Sequence, residues 1–219
     1  HSVGELVAAC ICGVFSLPEA VRLCAARAQL MQGLEQSGAM LSIAASEGTV
    51  LESLSAYRQT VSIAAINAPN QVVISGHKEH VAAVGAAFSA RGVRTRPLTV
   101  SHAFHSPLME PMLQAFGRIA ESVTYHKPKV PLVSNVSGQL ESERVCTAQY
   151  WVEHVRQAVR FAAGVQSLWE AGVRTFLEVG PRAPLLGLVP GSLPDASSVH
   201  LYASLRSGRE ETSSLLEAL

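Results

Sequence analysis

A serine near the start of the sequence and a histidine far along it are the two side chains best suited to do chemistry together. Ser2 lies in the stretch HSVGE (residues 1–5), where a G-x-S-x-G turn would hold its serine. In such a turn the hydroxyl is exposed at a bend between a strand and a helix, and N–H groups at the helix start can bind an oxyanion. A serine needs a base at neutral pH, and His105 in SHAFHSP (residues 101–107) can act as one. The pair predicts acyl transfer.

The acidic residues limit what can orient the imidazole of His105. The sequence contains a single aspartate, Asp195, and it follows the histidine, whereas α/β-hydrolases place their acid before it. A Ser-His-Asp triad or a Ser-Asp dyad is therefore disfavoured, and we expect a backbone carbonyl to accept the imidazole N–H. A metal site is the alternative for His102 and His105, but no third ligand stands at metal spacing.

The turn around Ser2 begins one residue late in this sequence. The first glycine of the pattern and the strand that should lead into it are missing. We therefore interpret the chain as the later part of a larger domain.

The composition excludes several classes of function. The chain has 219 residues, of which 48% are hydrophobic, and this is enough for one large and one small lobe. The formal net charge is +0 without a run of Lys or Arg, and no apolar stretch is long enough to span a bilayer. The four cysteines lack metal-site spacing. We expect a cytoplasmic enzyme with buried thiols, no disulfides, and neither nucleic-acid nor membrane partners.

Two helices should position the residues near the amino end. The apolar residues behind the serine predict a buried helix over residues 4–11. Ser16 and Glu19 form a capping box, with a proline in the first turn, and predict a second helix that runs to about Gly33. Arg27 lies in the middle of that second helix.

The middle of the sequence predicts a small lobe of its own. Residues 39–99 follow the order strand, helix, strand, strand, helix, strand, which is typical of a ferredoxin-like lobe. Residues 1–38 and 100–219 alternate helices with short strands, for example at 129–134 and 175–179, and this favours a mostly parallel sheet with helices on both faces. The predicted fold class is α/β, with an α/β-hydrolase-like large subdomain and an inserted ferredoxin-like small subdomain.

Five separated stretches resemble an acyltransferase domain of a modular type I polyketide synthase, of the malonyl-CoA:acyl carrier protein transacylase type. They cover nearly the whole chain, without the family's N-terminal part and the glutamine there that supplies half of the oxyanion hole. The stretches are HSVGE (1–5), ARAQLM (26–31), NAPNQVVISG (67–76), HAFHSPLM (102–109) and EVGP (178–181).

The resemblance implies a role for each group of the reaction. Ser2 would carry the acyl group, His105 would be the base, and the backbone N–H of Val3 would bind the oxyanion. The carbonyl that orients His105 would belong to residues 158–161, and we assign it to Arg160.

Arg27 would hold the free carboxylate of an extender unit, by the same resemblance. A guanidinium suits this task because it can form a bidentate pair with a carboxylate. The alternative is a surface arginine that pairs with Glu19 or Glu35.

The resemblance also points to the identity of the extender unit. His102, Phe104 and Asn67 would bind substrate, and in this family HAFH accompanies malonyl units whereas YASH accompanies methylmalonyl. Val3 stands where a glutamine accompanies the methyl-bearing unit. The ring of Phe104 would fill the space of an α-methyl group. Because packing against one methyl supplies only about 1–3 kcal/mol, we expect a real but leaky malonyl preference.

The predicted reaction is a ping-pong transfer. Malonyl-CoA acylates the serine, and the phosphopantetheine thiol of an acyl carrier protein collects the malonyl group, without a metal or redox cofactor. Adjacent ketosynthase and linker domains of the same polypeptide are further expected partners. The alternatives are a discrete transacylase of fatty acid synthesis, a serine thioesterase or hydrolase of the same fold, and an inactive or docking remnant.

Overall fold

The computed structural model of the protein describes residues 1–35 and 37–218, in which helices and short strands alternate. None of these described helices is long and apolar enough to cross a membrane. The helices are α1 Gly4–Ile11, α2 Leu17–Gln32, α3 Glu47–Ser53, α4 Lys78–Ala90, α5 Glu110–Glu121, α6 Ala148–Arg156, α7 Phe161–Glu170 and α8 Glu211–Ala218. The strands are β1 Gly38–Ile43, β2 Val61–Ala68, β3 Gln71–His77, β4 Thr95–Pro97, β5 Thr175–Glu178 and β6 His200–Ala203.

Local sequence signals mark the start of α2 and the end of α1. The hydroxyl of Ser16 accepts the N–H of Glu19, and the Glu19 carboxylate accepts the N–H of Ser16, so the predicted capping box of α2 is present. Helix α1 has the predicted bounds, and Gly13 follows it with φ 84°, a left-handed conformation that costs glycine little. Local signals therefore determine where α2 starts and where α1 ends.

Strands β1 to β4 form one antiparallel sheet with the order β2-β3-β1-β4. Helix α3 connects β1 to β2, and α4 connects β3 to β4, which gives the ferredoxin-like arrangement expected for the middle of the chain. The sheet packs on both helices through residues such as Ile43, Val50, Ile74 and Phe88. This part of the fold class is confirmed, while the domain limits 39–99 stay a prediction.

The larger lobe packs helices α1, α2, α5 and α6 around a second core. Leu6, Leu23, Phe116 and Trp151, one from each helix, are buried in it. Full burial of such a side chain stabilises the fold by about 1.5–3 kcal/mol. In this core α1 packs on α2, α2 on α5, and α5 on α6.

The parallel sheet of the larger lobe is small in the described chain. Strands β5 and β6 pair in parallel, from Thr175 with His200 to Glu178 with Ala203, and no third strand joins them there. The larger lobe is therefore mainly helical in its described part.

The strand predicted over residues 129–134 is wrong. Pro131 has no N–H to donate to a neighbouring strand, and the N–H of Lys129 donates to the carbonyl of Cys12 at 2.7 Å instead. One isolated bridge between Val133 and Leu140 is the β-pairing of this segment. The apolar run is bound to the turn behind α1 rather than to a sheet.

The two lobes are joined by the segment that follows α6. The N–H of Val159 donates to the carbonyl of Ala64 at 2.9 Å, and its carbonyl accepts the N–H of Ile66 at 2.9 Å. Both partners belong to β2, and a small buried cluster surrounds this contact. The segment after α6 is thereby fixed against the small lobe.

Candidate active site

Ser2 lies at the turn that leads into α1. Its backbone has φ 50°, a left-handed conformation that is uncommon for residues other than glycine. Its carbonyl accepts the N–H of Glu5 at 2.9 Å, and Val3 is the N-cap residue of α1 without a side-chain cap. The serine hydroxyl thus sits beside the amino end of a helix, where the helix dipole favours negative charge.

His105 meets the hydroxyl of Ser2 across the site. Its Nε2 lies 2.8 Å from Ser2 Oγ, and its Nδ1 lies 2.8 Å from the backbone carbonyl oxygen of Gln157. Because a carbonyl can only accept, Nδ1 carries the proton, and the unprotonated Nε2 accepts the hydrogen of the serine hydroxyl. The structure brings together the two predicted groups in the geometry that a general base requires.

The carbonyl that orients the imidazole belongs to Gln157, and the prediction of Arg160 is wrong. The Arg160 carbonyl accepts the N–H of Gly164 at 3.0 Å in the first turn of α7, so it is used by that helix. The Arg160 guanidinium lies 3.4 Å from a carboxylate oxygen of Glu47. Gln157 follows α6 in an extended conformation, with φ −77° and ψ 157°. A helix end leaves its last carbonyls without partners, and this signal could have pointed to Gln157.

The backbone of His105 is held from the small lobe as well. Ser62 of β2 donates its hydroxyl to the His105 carbonyl at 2.9 Å, and His105 itself has φ 57°. Sequence reasoning missed Ser62, since nothing in its local surroundings distinguishes it. Both lobes therefore contribute to the position of the imidazole.

The surroundings of His105 keep its imidazole neutral. Burial has the largest effect, followed by the electrostatic effects of His154 and of Arg27, and together they lower the pKa of His105 from 6.5 to about 3. The Gln157 carbonyl acts in the opposite direction because it binds the ring N–H, but its effect is smaller. Nε2 is thus free to accept a proton at neutral pH.

Arg27 points from α2 toward the hydroxyl of Ser2. Its Nη2 lies 3.4 Å from Ser2 Oγ, and the residue is only 8% exposed. In residues 1–35 and 37–218 no carboxylate lies within 4.0 Å of its guanidinium, so a surface pair with Glu19 or Glu35 is wrong. Burial lowers the pKa of Arg27, and its Nε lacks a hydrogen-bond partner. A buried cation without a counter-ion is suited to bind an anion.

The backbone N–H of Val3 stands next to the serine hydroxyl in sequence. No acceptor for this N–H occurs among the described residues, whereas the following N–H, that of Gly4, donates to the carbonyl of His1 at 3.2 Å. A free N–H beside the nucleophile is what an oxyanion site needs. The oxyanion role of Val3 stays a prediction.

His102 and Phe104 lie on the loop that carries His105. The Nε2 atom of His102 is 3.3 Å from the carbonyl oxygen of Leu34, just behind α2. Phe104 is partly buried against the larger core, with its ring centroid 6.2 Å from that of His102. These contacts attach the loop to α2, and the substrate-binding roles of both residues stay predictions.

Asn67 approaches the nucleophile turn from β2. Its Oδ1 accepts a hydrogen bond from Nε2 of His1 at 2.9 Å, directly before Ser2. The side chain is therefore engaged by the protein itself, and a contact of Asn67 with substrate stays a prediction.

Glu5 is a buried carboxylate beside the site that sequence reasoning did not single out. It lies in the first turn of α1 and contacts Tyr150 and His154 of α6. Its acidic side chain in an otherwise apolar helix is the signal that could have identified it.

Comparison with known proteins identifies the family. Residues 1–217 match the acyl transferase domain family. The chain belongs to this family. A phenolphthiocerol synthesis type I polyketide synthase of Mycobacterium marinum is 50% identical over 220 residues, which cover 100% of this chain and 10% of that protein. The chain thus spans about a tenth of the length of this curated relative.

Solved structures of acyltransferases have the same fold. The acyltransferase domain from the second module of the salinomycin polyketide synthase superposes with a TM-score of 0.96 at 47% identity, covering 100% of this chain and 51% of that one. A type II polyketide malonyl-transacylase, solved in complex with its acyl carrier protein, superposes with a TM-score of 0.88 at 32% identity, covering 100% and 70%. The family indicated by the five stretches and the α/β fold class predicted from the order of helices and strands are confirmed.

Proposed function

We propose that the complete protein is a polyketide acyltransferase that moves a malonyl unit from malonyl-CoA, through an ester on Ser2, to the phosphopantetheine thiol of an acyl carrier protein. The observation that carries this proposal is the convergence of two groups on one hydroxyl. His105 Nε2 lies 2.8 Å and Arg27 Nη2 lies 3.4 Å from Ser2 Oγ. A nucleophile with a neutral base and an unpaired buried cation suits an acyl group that bears its own carboxylate.

The first half-reaction forms the seryl ester. Ser2 Oγ attacks the thioester carbonyl while His105 Nε2 takes the hydroxyl proton, and the Gln157 carbonyl holds the resulting imidazolium through Nδ1–H. The oxyanion of the tetrahedral intermediate lies toward the Val3 N–H at the amino end of α1. When the C–S bond breaks, the coenzyme A thiolate takes the proton from Nε2.

The second half-reaction runs the same steps in reverse with a different thiol. His105 Nε2 accepts the proton of the phosphopantetheine thiol, and the thiolate attacks the carbonyl of the seryl ester. The C–O bond to Ser2 then breaks, and the serine oxygen recovers the proton from the imidazolium. These steps need no redox cofactor, because no electrons are gained or lost.

The position of Arg27 supports a malonyl substrate. A single methylene separates the acyl carbon of a malonyl group from its carboxylate, so a guanidinium beside Ser2 Oγ can reach the carboxylate of a bound unit. The anion would supply the counter-ion that the described chain does not offer to Arg27. Phe104 supports malonyl over methylmalonyl by the family pattern described above.

The type I polyketide setting is supported by the degree of similarity. The chain is 50% identical to the type I polyketide synthase of Mycobacterium marinum and 32% identical to the malonyl-transacylase of a type II polyketide system. That transacylase was solved with its acyl carrier protein, and we extend the same class of partner to this protein. Neighbouring ketosynthase and linker domains belong to the same proposal.

Mass spectrometry of the complete protein incubated with malonyl-CoA tests the proposal. We expect a malonyl adduct that Ser2→Ala abolishes and that Ser207→Ala, a change of an exposed serine, leaves intact. Addition of a phosphopantetheinylated carrier protein should remove the adduct and load the carrier. An adduct that persists in Ser2→Ala would overturn the assignment, and free malonate formed at the loading rate would indicate a thioesterase instead.

A further inference from the structure

A buried carboxylate links the nucleophile turn to helix α6. Glu5 lies three residues after Ser2 and is 2% exposed. One carboxylate oxygen accepts the backbone N–H of Asn135 at 2.8 Å and lies 3.2 Å from Nε2 of His154, and the other accepts the hydroxyl of Tyr150. A buried carboxylate keeps its charge only where such partners replace water. Both oxygens of Glu5 are therefore engaged by the larger lobe.

The helix that Glu5 contacts is the one that orients the base. Tyr150 and His154 both belong to α6, and Gln157 follows the end of that helix. The carbonyl of Gln157 accepts the Nδ1–H of His105, and the rings of His105 and His154 stand at 83° with centroids 6.3 Å apart. Glu5 thus contacts His154, which lies about one helical turn before the carbonyl that orients the imidazole.

A second contact of Glu5 reaches the same segment from its other side. Asn135, whose N–H binds Glu5, uses its own carbonyl to accept the N–H of Arg160 at 2.8 Å. The residues between α6 and α7 are therefore held at both ends by groups that Glu5 binds.

We propose that Glu5 is a positioning residue, which holds the start of α1 at the distance from α6 that places Ser2 Oγ against the imidazole of His105. This inference rests on the proposed function, in which the Ser2–His105 pair performs the transfer. Among the described residues the Glu5 carboxylate has no hydrogen bond to Ser2 Oγ or to the His105 ring, so it acts through the two helices.

Stability alone is a weak reason for such a network. Replacement of a buried ion pair by well-packed apolar side chains is often neutral or stabilising, whereas removal of one partner leaves an uncompensated group. A network of directed hydrogen bonds does provide fixed distances between the elements it joins. Proton transfer depends on the distance between Ser2 Oγ and His105 Nε2, and this distance depends on where Ser2 and the Gln157 carbonyl lie relative to each other.

The variant Glu5→Gln in the complete protein tests the inference, since it keeps the shape and replaces one accepting carboxylate oxygen by an NH2 group, which cannot accept a hydrogen bond. Because a misplacement of about 1 Å can lower a rate about 100-fold, we expect the rate of Ser2 acylation at saturating malonyl-CoA to fall by about that factor. The half-saturating concentration should stay unchanged because Arg27 is untouched. Glu143→Gln is the matched control, since that carboxylate pairs with Lys127 at the surface.

A second variant and a second reagent make the result decisive. Tyr150→Phe removes one hydrogen-bond partner of Glu5 and replaces Glu5→Gln in the test if that variant does not fold. It should lower the rate of Ser2 acylation in the same way. A serine-directed fluorophosphonate reads the Ser2–His105 pair without using Arg27, as Ser2 Oγ displaces fluoride and His105 takes the proton. Both variants should slow it. The inference would be overturned if both variants reacted at the wild-type rate per folded molecule. If the wild-type protein reacted with the fluorophosphonate but did not load malonyl, only the proposed function would be overturned.

Discussion

Ser2 and His105 share a left-handed backbone conformation, with φ angles of 50° and 57°, that no other non-glycine residue of the described chain adopts. This conformation costs an L-residue about 1–2 kcal/mol, and it persists where surrounding contacts fix it. The contacts here are the 2.8 Å hydrogen bond between the two side chains and, at His105, the bonds to Ser62 and Gln157. Backbone strain is thus concentrated on the two residues that face each other.

The strain at Ser2 can be measured with two inactive variants. Ser2→Gly and Ser2→Ala both remove the hydroxyl, so neither should form the seryl ester. Glycine tolerates φ 50° whereas alanine does not, so we expect the free energy of unfolding of Ser2→Gly to exceed that of Ser2→Ala by about 1 kcal/mol. Urea unfolding of the complete protein gives both values. Equal stabilities, or a more stable alanine variant, would show that the turn is relaxed.

The parts of the site that were predicted from the sequence are those with local signals. The turn around Ser2, the capping box that starts the helix of Arg27, and the motif of His105 each lie within a few residues. Their meeting in space follows from the family resemblance, because no local signal reports a contact across so many residues. The ferredoxin-like lobe was predictable since its order of elements is itself a pattern.

The parts that were missed depend on tertiary contacts. Every residue has a carbonyl, so the sequence does not distinguish Gln157 from Arg160 until the ends of α6 and α7 are known. The role of Glu5 depends on partners in α6 and at Asn135, far away in the chain. The false strand over 129–134 arose because its apolar residues outweighed the lost donor of a proline.

A substitution at Gln157 should have little effect on the reaction. The contact with His105 uses the backbone carbonyl, which any side chain preserves. We expect Gln157→Ala to acylate Ser2 within about twofold of the wild-type rate, whereas His105→Ala, which removes the proposed general base, should cost about 10²–10⁴-fold. His126→Ala, a change of an exposed histidine, controls for general effects. A large loss in Gln157→Ala would mean that its side chain takes part.

The rate of acylation should stay constant down to a lower pH than it would with a histidine of ordinary pKa. Burial and the electrostatic effects of His154, Arg27 and Arg156 outweigh the opposing Gln157 carbonyl and lower the pKa of His105 to about 3. The neutral, basic form is then lost only as pH falls through that value. An ordinary histidine would already be half protonated at about pH 6.5. We expect kcat/KM for malonyl-CoA to stay level well below about pH 6.5.

The same shift makes the stability of the fold depend on pH. Below about pH 6.5 the unfolded chain takes up a proton on this histidine while the folded chain does not, so the free energy of unfolding decreases as pH falls. His105→Asn should show a shallower decrease in urea unfolding between about pH 7 and pH 5. An acid limb of kcat/KM centred near about pH 6.5 in folded protein would contradict both expectations.

Loss of Arg27 should separate malonyl from acetyl loading. A hydrogen bond to a charged group contributes about 1.5–3 kcal/mol, so Arg27→Ala should lower kcat/KM for malonyl-CoA by about 10- to 100-fold and leave acetyl-CoA loading nearly unchanged. Arg22→Ala is the control on the same helix, since Arg22 is exposed and bonds to Ser122. Equal losses with both thioesters would remove Arg27 from carboxylate recognition.

The ring of Phe104 should control access for a methyl-bearing extender unit. The residue lies directly before His105 and packs against the larger core, so a smaller side chain opens space beside the base without removing a polar contact. Because one methyl group in a pocket is worth about 1–3 kcal/mol, we expect Phe104→Ala to raise the ratio of methylmalonyl to malonyl loading by about tenfold or more. Phe104→Leu keeps most of the volume and should change the ratio less. Competition between the two thioesters, read by mass spectrometry of the Ser2 ester, gives the ratio directly. An unchanged ratio in Phe104→Ala would mean that another side chain excludes the methyl group.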